Sequence, residues 1–90
     1  MIKYKAAFYE DRENGWFLAK VLDFPGVATQ GSTLDKAREM LRDGLREMSE
    51  WLLEDGQPLP HPKPAVTDPS ADVIEPIQLF IRVRSGATAP

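Results

Sequence analysis

STLDKAREMLRDGLREMSEWLLED, residues 32–55, decides the architecture. Leu34, Ala37, Leu41, Leu45, Met48 and Leu52 return at steps of three or four and draw one apolar stripe along about six turns of helix. Ser32-Thr33-Leu34-Asp35 reads as a capping box, with Ser32 capping the first turn and Asp35 reaching back. Asp35/Arg38, Glu39/Arg42 and Asp43/Arg46 stand three apart with opposite charge, the spacing that supports an exposed helical face. Gly56 is the natural stop. A helix with one apolar stripe needs something flat to bury it, and the flanking segments supply that.

On the N-terminal side, Ile2, Tyr4, Ala6 and Phe8 alternate with Lys3, Lys5, Ala7 and Tyr9, a period of two that predicts a half-buried strand. Asn14-Gly15 closes a hairpin into a second strand over Trp16–Leu22, with Phe17, Ala19 and Val21 inward. Asp23-Phe24-Pro25-Gly26 turns the chain into a short third strand, Val27–Gln30. On the C-terminal side, Pro58, Pro60, Pro62, Pro64 and Pro69 make an extended connector without hydrogen bonds of its own. From Ile77 onward, Ile77, Leu79, Ile81 and Val83 alternate with polar or aromatic neighbours, a fourth strand that starts after Pro76. The expected fold is α+β and two-layered: an antiparallel three-stranded meander, one long helix and a fourth strand, in a single domain over residues 1–84 with a tail at 85–90.

Ninety residues and 10.1 kDa accommodate one domain. A hydrophobic share of 42% excludes a wholly disordered chain, and no run approaches the roughly 20 apolar residues of a membrane span. With no cysteine, neither disulfides nor thiolate metal sites reinforce the thin core of so short a chain, so help from other subunits is expected. Lys3, Lys5, Glu10, Asp11 and Arg12 interrupt any signal-peptide core, and cytoplasmic residence is the expectation. The formal net charge of −3 does not recruit nucleic acid.

Reactive chemistry finds little purchase. His61 sits among prolines with no converging partner. Ser32 and Thr33 belong to a helix start, and no serine lies in a Gly-x-Ser-x-Gly setting. Gly26-Val27-Ala28-Thr29-Gln30-Gly31 lacks the glycines and lysine of a phosphate cradle. Strand centres carry Ala6, Ala7, Leu18 and Ala19, not the carboxylates of two-metal hydrolysis. No enzyme, cofactor or metal is expected.

Surface remains. The sheet face away from the helix is expected to carry Lys3, Lys5, Tyr9, Trp16, Leu18, Lys20, Phe80, Arg82 and Arg84. The helix segment holds seven acids against four bases, and Glu50, Glu54 and Asp55 crowd a C-terminus whose dipole favours cations. Aromatic residues among charges are what binding surfaces use. The candidate contact residues are Trp16, Lys20, Glu47, Glu50, Trp51 and Glu54.

The order of motifs resembles a known family. A strand–Asn-Gly–strand opening leads to Asp23-Phe24-Pro25-Gly26, then Thr29-Gln30-Gly31-Ser32-Thr33-Leu34-Asp35-Lys36-Ala37, then a helix ending Leu52-Leu53-Glu54-Asp55-Gly56-Gln57-Pro58-Leu59-Pro60. This looks like the HicB antitoxin family, with its D-L-P-G turn, T-x-G-x-T-x-x-E-A helix start and G-x-x-x-P helix exit. Asp35-Lys36 departs mildly from the acidic residue usual before Ala37. The resemblance implies a degraded RNase H-like fold without nuclease activity. It implies a partner, a small basic HicA-like RNase toxin whose catalytic surface the antitoxin covers, and self-association into dimers or tetramers. Many members carry a C-terminal DNA-binding module. Ser85–Pro90 is too short for one, so operator DNA binding is not expected. The alternatives are an orphan homo-oligomeric binding module with no toxin partner, or a weak nucleic-acid binder using Lys3, Lys5, Lys20, Arg82 and Arg84.

Overall fold

The computed structural model describes residues 2–81. In chain order it has β1 (Ile2–Glu10), β2 (Phe17–Val21), β3 (Ala28–Gly31), α1 (Leu34–Glu54) and β4 (Val73–Leu79). All neighbouring strands are antiparallel, in the order β3-β2-β1-β4. The expected β-β-β-α-β order and two layers are present.

Register explains the core. Ala6 pairs with Val21, Phe8 with Ala19, Tyr4 with Ile77 and Ile2 with Leu79, so these side chains share one sheet face. Ala37, Leu41 and Leu45 of α1 are buried against that face, and Leu34, Met48 and Leu52 pack at its margins. The apolar stripe read from the sequence is therefore the buried one. Phe24, from the β2–β3 turn, seals one end by meeting Tyr4 edge-to-face at a centroid separation of 5.1 Å. Gly31 lets β3 approach the first turn of α1: a Cβ there would lie 2.5 Å from the Ala37 nitrogen. At the other end of α1, Gly56 adopts φ 73°, and Gly56 N and Gln57 N donate to Leu53 O and Leu52 O at 3.1 and 2.8 Å.

Several expectations need correction. The cap is Thr33, not Ser32: its hydroxyl accepts from Lys36 N at 3.0 Å. Asp35 does not reach back, because its carboxylate takes Arg38 at 2.7 Å. Glu39 meets Lys36 at 3.5 Å instead of Arg42, whereas Asp43–Arg46 forms as expected at 3.5 Å. The third strand ends on Gly31, one residue later than expected.

The fourth strand starts at Val73 and runs through Pro76. Pro76 is opposite Lys5, whose N–H donates to Asp23 Oδ1 at 2.9 Å and whose carbonyl accepts from Leu22 N at 2.8 Å. Both polar groups of Lys5 are thus engaged on the β2 side, and the strand position opposite it asks for no donor. Because β4 is an edge strand, the missing N–H costs the ladder nothing. Val83, Arg82, Arg84 and the tail at 85–90 lie outside the described residues.

The connector is bonded where none of its own bonds was expected. Pro60 O accepts from the Tyr4 hydroxyl at 2.7 Å, Lys63 N donates to Asp23 Oδ2 at 2.8 Å, and Asp68 Oδ2 accepts from the Tyr9 hydroxyl at 2.6 Å. Asp72 closes the series: its N–H donates to Phe8 O at 2.8 Å, and its carboxylate accepts from Glu10 N and Arg12. These anchors follow one another along β1, and Tyr9 lies on the face opposite α1. Ala7, expected outward on that face, is fully buried between Lys5 and Tyr9.

Candidate interaction surface

The connector divides the outer sheet face in two. Its β1 side carries the anchors at Tyr9 and Glu10. Its β2–β3 side is bare: Trp16, Leu18, Lys20, Ala28 and Gln30 are all exposed, and the register Leu18↔Gln30, Lys20↔Ala28 places the strand residues together. Leu18 is 53% exposed and Trp16 42%. Lys20 reaches from this patch to the border, its Nζ 5.3 Å from the Tyr9 ring centre.

That border is a polar knot. Burial first, then the hydrogen bond to Asp68, pushes Tyr9 up to about 12. The Tyr9 hydroxyl, then the Ser70 backbone N–H, hold the Asp68 carboxyl down at about 2. Nearby, burial and then the charge of Asp23 raise the Tyr4 hydroxyl. On the far side of the sheet, Arg38 bridges Asp35 at 2.7 Å and Glu75 at 2.9 Å, which ties α1 to β4 and raises the guanidinium pKa through its bond to Glu75 first.

The helix offers the second surface. After Arg46, α1 carries Glu47, Glu50 and Glu54 and no base, and its last turn has none to meet the dipole. Trp51, between these acids, is 61% exposed. Glu47, Trp51 and Glu54 follow at helical spacing along one ridge. Glu47 and Trp51 also border a groove of about 480 Å³ whose other wall is Gly26–Ala28. Glu50 stands at the other edge of the same exposed side, where it borders Phe80 and Ile81 beyond β4.

The six sequence-derived contact candidates therefore do not form one site. Glu47, Glu50, Trp51 and Glu54 share the exposed side of the C-terminal half of α1, whereas Trp16 and Lys20 occupy the bare half of the outer sheet face. Two residues escaped the sequence reading. Asp23, expected simply in a turn, is 5% exposed and accepts two backbone N–H groups; its signal was a lone carboxylate amid Val21, Leu22 and Phe24. Gly44 borders the groove, and its signal was to be the one glycine inside the helix.

Among the described residues no three His, Cys, Asp or Glu side chains are grouped to hold a metal ion. No helix among them is long and apolar enough to cross a membrane.

Comparisons with known proteins agree with one another. No curated protein matches the chain. Among solved structures, the N-terminal domain of the Burkholderia pseudomallei antitoxin HicB superposes with a TM-score of 0.74 at 23% identity, over 89% of this chain and 100% of that one. The longer crystal structure of the same antitoxin gives 0.72 at 24% identity over 88% of this chain, which spans only 64% of its length. A structure described as the HicA3 and HicB3 toxin-antitoxin complex gives 0.68 at 19% identity, covering 88% of this chain and 99% of that one. These likenesses establish the fold, a partial RNase H-like sheet with one long helix. The sequence itself matches the family described as the HicB-like antitoxin of bacterial toxin-antitoxin systems over residues 3–83, nearly the whole chain, and so the protein belongs to the HicB-like antitoxin family.

Proposed function

We propose that this protein neutralises a small, basic, HicA-like RNase toxin by binding it and covering its catalytic and RNA-contacting surface. The observation that carries the reading is the C-terminal half of α1: Glu47, Glu50 and Glu54 around a 61%-exposed Trp51, with no base after Arg46. Acids at a helix C-terminus oppose the dipole, so this arrangement does not serve the helix. It does suit a cationic partner, by steering encounter and by offering an aromatic anchor. A toxin that binds RNA phosphates must be cationic where it does so, and an acidic cover competes for the same charges.

Trp16 and Lys20 belong to a different contact. The bare outer half of the sheet, with Trp16 and Leu18 beside Ala28 and Gln30, carries one charge, and Lys20 is already drawn to Tyr9. A second copy of the chain meets little repulsion there, whereas two acidic helices would repel. This supports self-association through the sheet face with the helices turned outward.

The test is whether a HicA-type protein is encoded beside this gene, its co-purification with this chain, and assay of its RNase activity. A stable complex with activity suppressed is expected, and charge reversal at Glu47 and Glu54 should weaken it. An RNase left fully active by the purified chain would refute the antitoxin role. Light scattering on the Leu18→Asp variant tests the sheet contact: the wild-type oligomer should become monomeric, and an unchanged mass would discard that surface.

A further inference from the structure

The groove beside Trp51 contains a glycine that the fold does not require. Gly44 lies in the interior of α1, where glycine is less stable than alanine. It has no positive φ, that feature being confined to Gly15, Gly26 and Gly56 among the described residues. Nor is it there for close packing: a Cβ at Gly44 would meet only the Val27 Cγ1, at 3.9 Å, an ordinary contact. Gly31 shows the contrast, with its 2.5 Å approach to Ala37 N. The absence of a side chain at Gly44 leaves an open channel between the β2–β3 turn and the helix.

That channel has a definite chemistry. One wall is Gly26–Ala28 and the other is Glu47, Met48 and Trp51. Its apolar surface is the flank of Val27, Ala28 and Met48. Its one charged group is the Glu47 carboxylate, and its aromatic group is the Trp51 ring. An open groove with an apolar flank, one anion and one indole accommodates a long side chain with an aliphatic stem and a cationic head. Arginine fits best, since its guanidinium can stack on the indole while donating to the carboxylate.

We infer that the groove at Gly44 is a receptor for an arginine side chain of the protein partner, with Glu47 and Trp51 gripping the guanidinium and Gly44 holding the slot open. This rests on the antitoxin reading for the identity of the partner, but not for the chemistry of the slot.

Two arms separate the claims. In the first, the Trp16→Phe chain, in which Trp51 is the sole tryptophan, is titrated with acetyl-tetra-arginine amide at low salt while indole emission is followed. A saturable change is expected; Gly44→Leu should abolish it and Glu47→Gln should weaken it about tenfold. Acetyl-tetra-glycine amide should give none. Gly44→Ala should raise the melting temperature, because only the slot and not the fold wants a glycine there. No response to the arginine peptide, or an equal response in folded Gly44→Leu and in Glu47→Gln, overturns the receptor. In the second arm a HicA-type toxin is the ligand. If it binds the wild type and Gly44→Leu equally, the receptor is again overturned. If it ignores both while the peptide arm succeeds, the antitoxin reading falls and the arginine slot stands.

Discussion

Asp23 is the residue whose loss the structure prices most clearly. Its carboxylate is 5% exposed and accepts Lys5 N through Oδ1 at 2.9 Å and Lys63 N through Oδ2 at 2.8 Å. The first bond serves β1 at the position opposite Pro76, and the second fixes the connector in a stretch where Pro60, Pro62 and Pro64 have no N–H to give. Asp23→Ala orphans both donors. A hydrogen bond to a charged group contributes about 1.5–3 kcal/mol, and solvent can reach the loosened connector but not the strand, so a loss of about 3 kcal/mol is expected. For a domain of this size that corresponds to a fall of roughly 12–24 °C in melting temperature. Asp23→Asn keeps the shape and one acceptor but turns an amide nitrogen towards a donor, and should lose about 2 kcal/mol. Urea titration followed by circular dichroism measures both, and hydrogen exchange at Lys5 and Lys63 locates the damage. If both variants stay within about 0.5 kcal/mol of the parent, the claim that this carboxylate locks the connector to the sheet is wrong.

Ser49 is fully buried, and its hydroxyl lacks a partner among the described residues, so Ser49→Ala should stabilise by about 1 kcal/mol in the same titration; a loss of that size would mean the hydroxyl is satisfied. Thr33→Ala should cost about 1 kcal/mol while Ser32→Ala stays near zero, and the reverse ranking would return the cap to Ser32. Asp68, held at about 2 against an ordinary 3.8, contributes stability that is present above the ordinary value and lost as pH falls from about 4 to 2. Tyr9, raised to about 12, contributes stability that is complete below pH 10 and lost as pH climbs to 12, so Tyr9→Phe should flatten both limbs of the stability–pH curve. Glu54→Lys should raise helix stability by a few tenths of a kcal/mol yet weaken binding to the basic toxin, and a variant improved in both would contradict the acidic docking surface.

The sequence announced what depends on periodicity. The Leu34–Leu52 stripe and the alternation from Ile2 to Phe8 fixed the helix, the first strand and the two layers, because burial on one face writes itself into spacing. What it concealed depends on partners distant along the chain. Pro76 looked like a barrier to a strand, and is admitted only because Lys5, 71 positions earlier, spends both backbone groups on Asp23 and Leu22. Ser32 and Thr33 are equally able to cap, and the choice follows from where Gly31 lets β3 meet the helix. The candidate contact residues could be grouped from the sequence only in part. Trp51 and its acids could be grouped by helical spacing, but Trp16 and Lys20 could be placed only by strand register.

The connector makes those two surfaces separate instruments. By bonding to Tyr9 on the outer face, and to Tyr4, Asp23 and the Glu10 N–H around it, the connector commits that stretch of β1 to internal bonding. The two tryptophans are left in neighbourhoods of opposite character: Trp16 in a nearly neutral sheet patch beside Leu18, and Trp51 on an acidic helix. Identical molecules meet comfortably only through the first, since joining two acidic helices sets like charges opposite each other. A basic toxin gains only from the second. On the proposed function, charge sorts the partners: the nearly neutral sheet patch suits a second copy of the chain, and the acidic helix suits a basic toxin.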